Sequence, residues 1–181
     1  MAKKRLNRKL KYWALKVFLI SLVLTAGISV VTELLMDELS VTAAALLILV
    51  IVLIGVIFDI IGIAFATCDT TPFVSMASRK IKRAKSALML LRNASVVSNI
   101  CGDVVGDICG IVSGAAGAAI AVKIIAQSSA ASDIVITIAI SSLIAAVTVA
   151  GKAAGKKLAI NKNKQIVSFV SYVLMFFLRE R

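Results

Sequence analysis

Asp103 and Asp107 stand four residues apart in "CGDVVGDICG" (residues 101–110), each directly after a glycine and inside an apolar run. On an α-helix this spacing brings both carboxylates to one face, one turn apart. A charge at the centre of a bilayer costs at least about 2.5–3.5 kcal/mol on insertion scales, and like charges one turn apart repel. Protonation, a bound cation or a basic partner must compensate. The pair therefore points either to a cation site, whose hard oxygen ligands suit a divalent ion, or to a structural ion pair. Either way both carboxylates are expected to face the protein interior. Asp59, Asp69, Thr67, Thr70 and Thr71 lie around the end of the preceding apolar run and are further candidates. Lys152 follows the last long apolar run and reads either as a partner of the acids or as a surface lysine that sets topology. Lys123 reads as a snorkelling side chain.

The elements that would hold these groups are long and apolar. Of 181 residues 60% are hydrophobic, with one proline and no histidine. Soluble domains sit near 45–50% apolar. Here the excess forms runs over residues 12–36, 41–66, 96–126 and 134–150, each long enough for a membrane helix. The fold class expected is all-α: a polytopic membrane protein with four transmembrane helices and amphipathic helices at the cytoplasmic interface. Residues 1–36 form a basic N-terminus with its own helix, and residues 41–181 form the main membrane domain. The first run is too long for a signal-peptide core and has no convincing cleavage site. Pro72 marks a stop or bend after the second run. The basic amphipathic stretch "SRKIKRAKSALMLLRN" should lie at the interface. The apolar segment 165–178 has basic flanks and about half the length of a crossing, so it should lie on one leaflet rather than span.

Charge patterning orients the chain. "MAKKRLNRKLK", "RKIKRAK" and "KKLAINKNK" belong on the inside, "MDELS" and "QSSAASD" on the outside. Both termini are then cytoplasmic in a cell membrane, and "NAS" at Asn93 faces the wrong side for glycosylation. Topology also accounts for the net charge of +12 without nucleic acid as a partner. Gly102, Gly106, Gly110 and Gly114 recur every four residues, a small-residue stripe suited to close helix packing. Cys68, Cys101 and Cys109 read as reduced, buried small residues. With no histidine and no metal-thiol spacing, no catalytic set or zinc site can be assembled, and an enzyme is not expected.

Three segments together resemble the membrane domain of the CNNM/CorC family of magnesium transporters. "AFATCDTTPFVSMASRKIKRAKSALMLLRN" is similar in layout to the family's first helix, ending F-S-G-S-E-x-A-L, and its basic amphipathic continuation. "CGDVVGD" resembles I-G-N-N-x-x-N, with Gly102 matched and Asp103 and Asp107 at two asparagine positions. "GKAAGKKLAINKNKQIVSFVSYVLMFF" resembles G-E-x-x-P-K-x-x-A and the short helix after it, keeping Gly151, Lys156 and Ala159 in step. The resemblance covers residues 41–181 and does not extend to the family's CBS domains. It implies a homodimer and a Mg2+-like divalent site at Thr67, Asp69, Asp103 and Asp107, with Lys152 where the family has glutamate and Gly155 where it has proline. Two functions follow as expectations. One is cation transport. The other is a non-transporting scaffold or accessory protein, serving a partner membrane or regulatory subunit, in which the Lys152 ammonium replaces the metal.

Overall fold

The computed structural model describes residues 2–127 and 133–177, and no strand occurs among them. The helices are α1 (Ala2–Glu38), α2 (Val41–Thr67), α3 (Thr71–Ser78), α4 (Lys82–Leu91), α5 (Ala94–Ser98), a π-helical segment π1 (Asn99–Gly106), α6 (Asp107–Gln127), α7 (Asp133–Asn161) and α8 (Asn163–Phe177). The stretches Leu15–Glu38, Val41–Thr67, Ala94–Ala126 and Ile134–Asn161 are long and apolar enough to cross a bilayer. The all-α polytopic architecture is therefore present, with α5, π1 and α6 forming the third membrane-length helix. The expected outside loop at 127–133 and the basic C-terminal end at 179–181 fall almost wholly outside the described residues.

The chain divides into two compact units. The first comprises residues 1–51 and 110–144. In it Ala44 and Ile48 of α2, and Val112, Ala116 and Ile120 of α6, are buried at four-residue spacing, the signature of a helix stripe in contact with neighbours. Gly117 seats the Ile144 side chain of α7, whose Cδ1 would lie 2.3 Å from an added Cβ. The Lys123 side chain reaches the end of α1. Its ammonium donates to the carbonyls of Met36, Asp37 (3.1 Å) and Leu39 (3.2 Å) at the end of α1. Those carbonyls have no partner within the helix, and a cation there also meets the negative end of the helix dipole.

The second unit comprises residues 52–109 and 145–181. Its core is the end of α2 enclosed by short helices: Phe65 packs with Phe73 of α3, Ala87 and Leu91 of α4, and Val167 of α8. The sequence between α2 and α3 makes the turn. Asp69 Oδ1 accepts from the Thr71 N–H (3.1 Å) and hydroxyl (3.0 Å), and Pro72 then opens α3 with its φ already set for a helix. Lys80, at φ 60°, carries the left-handed residue that separates α3 from α4. Asn163 Nδ2 donates to the Thr67 carbonyl (3.0 Å), tying the start of α8 to the end of α2. Among the described residues α8 runs for 15, about 22 Å, short of the ~30 Å of a hydrocarbon core. Its buried side is Val167 and Ser171, while Phe169, Tyr172 and Val173 are exposed.

Candidate functional site

Within the second unit α2 presents two different faces. Gly55, Asp59 and Gly62 face π1 and the start of α6. A Cβ added at Gly62 would lie 3.0 Å from Ser98 O and 3.1 Å from Gly102 N, and one at Gly55 would lie 2.8 Å from Cys109 Cβ. Backbone meets backbone there, which only glycine permits. Gly102 and Gly106 answer from the other side, with Asp59 as their neighbour: a Cβ on Gly102 would be 3.5 Å from Asp59 Oδ1. On its second face α2 offers Val56 and Ile60 to α7, where a Cβ on Gly151 would be 3.0 Å from Val56 Cγ2 and one on Gly155 2.7 Å from Ile60 Cγ1. The residue that stands where the CNNM/CorC pattern has proline is thus a glycine seat for an isoleucine.

The glycine stripe splits. Gly102 and Gly106 make the packing contact expected of them, but Gly110 and Gly114 have nothing within 4 Å of an added Cβ. The π-helical turns contribute to this. Hydrogen bonding from i to i+5 sets residues before and after π1 out of the phase of a single α-helix.

Two helices held this close to α2 bring one ion pair together. Lys152 Nζ of α7 lies 3.0 Å from Asp107 Oδ1 of α6. The Asp107 side chain is 63% exposed and the Lys152 side chain 26% exposed. Asp103 is exposed as well, so the expectation that both acids face the interior is not met. Uncharged runs adjoin several of these groups. Residues 134–151 of α7 carry no charge before Lys152, residues 41–58 of α2 none before Asp59, and residues 108–122 of α6 none after Asp107. At 1.5 Å per residue these runs are about 27, 27 and 22 Å long, close to the ~30 Å of a hydrocarbon core. Asp59, Asp107 and Lys152 each mark the edge of such a run. The further apolar length of α2 is spent inside the protein, where Ala64 and Phe65 are fully buried.

The four residues assigned to a metal site are not gathered. Thr67 lies eight residues beyond Asp59, about 12 Å along α2, and its hydroxyl donates back to Ile63 O at 2.8 Å. Asp69 is occupied as the acceptor of the α3 turn, and the two Thr71 donors hold its carboxyl below the ordinary 3.8. Oxygen ligands must approach a divalent ion within about 2.0–2.6 Å, whereas the Thr67 hydroxyl and the Asp69 carboxylate are each engaged within their own segment. Among the described residues no three carboxylates or thiols stand together in a way that could hold a metal ion. The three cysteines are free, and burial raises the Cys68 thiol.

Sequence reasoning gave Asp59 a minor place and missed Gly55 and Gly62. The signal was present as Gly55-xxx-Asp59-xx-Gly62, small residues on one face of the most apolar helix. No family model matches the chain, and no curated protein or solved structure matches it either.

Proposed function

We propose that this chain is a non-transporting membrane scaffold or accessory protein, in which Asp107 is neutralised by the chain's own Lys152. The observation that carries the reading is the 3.0 Å contact between Lys152 Nζ and Asp107 Oδ1. An ammonium at that distance occupies the place a cation would take. On the resemblance to the CNNM/CorC membrane domain, the lysine also replaces the one acid of the family pattern. The protein sits in a cell membrane with both termini in the cytoplasm, on the asymmetry of its basic segments. A second copy of the chain, or a partner membrane or regulatory subunit, covers the exposed Asp103 and Asp107.

A second reading, a Mg2+-like transport pathway, draws on Asp103, which has no ion pair among the described residues, and on π1, since π-turns recur at functional sites. Melting curves of the wild type and Lys152→Ala, each with and without Mg2+ or Mn2+, separate the two. On the scaffold reading the variant loses about 1 kcal/mol, the upper end for a pair this exposed, and metal leaves the wild type unmoved. A rise in wild-type Tm that grows with metal concentration refutes it in favour of the cation site.

A further inference from the structure

We propose that the groove between α3 and α8 binds an anionic phospholipid of the bilayer the chain spans. The groove encloses about 500 Å³ and changes character along its length. Lys164, in the first turn of α8, stands at one end. Phe73 and Met76 of α3 face Phe169 and Tyr172 of α8 along the rest. From Lys164 to Tyr172 is eight residues, about 12 Å along the helix axis. A cation followed by 12 Å of apolar wall fits a phosphate carrying acyl chains. A soluble phosphate ester would use only the first end, and a zwitterionic lipid would offer a phosphate whose charge its own ammonium already offsets.

The surroundings favour the same occupant. Thr67 ends the apolar stretch of α2, and Phe73 follows six residues later, so the groove lies just past the end of that stretch. Phe169 is 68% and Tyr172 43% exposed, a large apolar surface on a helix too short to cross. Tyrosine, with an apolar ring and a polar tip, is enriched at the headgroup boundary. Among the described residues Lys164 makes no salt bridge. The nearby Asp69 feels its charge but is already engaged by the N–H and hydroxyl of Thr71. Lys162 in the preceding turn and Lys156 and Lys157 at the end of α7 are exposed and add positive potential without opposing acids in that stretch. The bilayer supplies the anion, because the cytoplasmic leaflet attracts juxtamembrane lysines.

The test uses the full chain carrying Trp13→Phe and Tyr172→Trp, so that the groove holds the single fluorophore. It is reconstituted in phosphatidylcholine vesicles with a minor fraction of phosphatidylglycerol, and the bromine quencher is carried by one lipid or the other. Brominated phosphatidylglycerol should quench with roughly fivefold preference over its mole fraction, the gain expected of one lysine at an anionic surface. Lys164→Gln should abolish the preference and leave quenching by phosphatidylcholine unchanged, whereas Lys80→Gln, outside the groove, should keep it. Equal quenching by both lipids, or a preference that survives Lys164→Gln, overturns the proposal. So does loss of the preference in excess soluble glycerol phosphate, which would assign the site to a free phosphate ester. Absence of quenching by either lipid overturns it too, since a protein segment would then fill the groove.

Discussion

Replacing Gly62 by alanine should weaken the protein, while the same change at Gly114 should strengthen it. A methyl group at Gly62 would meet Ser98 O at 3.0 Å, Gly102 N at 3.1 Å and Cys101 Cβ at 3.5 Å. The first two are backbone atoms of the opposing segment and cannot rotate away, so α2 and π1 must separate by a few tenths of an ångström. Overpacking of this kind costs about 1–3 kcal/mol. Alanine recovers up to about 1 kcal/mol of helix propensity over glycine, which leaves a net loss of up to about 2 kcal/mol. At Gly114 nothing lies within 4 Å of the added carbon, so only the propensity gain remains. For a chain of this size about 1 kcal/mol moves Tm by roughly 2–4 °C. Gly62→Ala should therefore melt up to about 8 °C lower and Gly114→Ala up to about 4 °C higher. The three free cysteines permit a melt followed by a thiol-reactive dye in detergent. Cys101 lies beside Gly62, so its labelling should begin earlier in the first variant. Equal shifts of the same sign in both variants would refute the claim that α2 and π1 meet backbone to backbone.

Two other outcomes are expected. Lys123→Met should lower stability by about 2 kcal/mol, the upper range for a partly buried cation at a helix C-terminus, and should raise deuterium uptake at residues 33–39; unchanged exchange there would mean that the lysine does not hold α1. Asp69 has a folded-state pKa below its ordinary value, so its stabilisation is complete above 3.8 and is lost as pH falls through the lower folded value. Acid should therefore loosen the start of α3, and Asp69→Asn should remove that part of the acid dependence; an identical acid profile in the variant would count against the turn.

The architecture was legible because its cause is local. Four apolar runs and one proline determine four long helices and a break, and a short segment between basic residues gives a helix of 15 described residues, less than a crossing. The Lys152–Asp107 pair was reachable from the cost of an unpaired acid among apolar residues. The metal set was not, because position in a motif says nothing about depth along a helix: Thr67 and Asp69 lie beyond the level of Asp59, and their oxygens are taken by Ile63 and Thr71. The outward exposure of Asp103 and Asp107 was hidden by the assumption of regular α geometry through residues 99–106. The partners of Lys123 were not legible because they are carbonyls 84 to 87 residues earlier, a tertiary contact that periodicity does not register.

The π-helical segment has a consequence for any scan of the third long helix. Eight residues from Asn99 to Gly106 are wound more widely than their neighbours, so Ala94–Ala126 has no single helical wheel. A cysteine or tryptophan scan fitted with one period would show its reactive face wandering, and could be mistaken for a mobile helix or for two conformers. Fitted as two wheels joined with a phase offset at Gly106, the same data should resolve into two steady stripes. The offset also makes chain length at this point a control knob. A one-residue deletion that restored α geometry there would take up the extra residue of the wide turns and change the direction of Asp103 relative to α6.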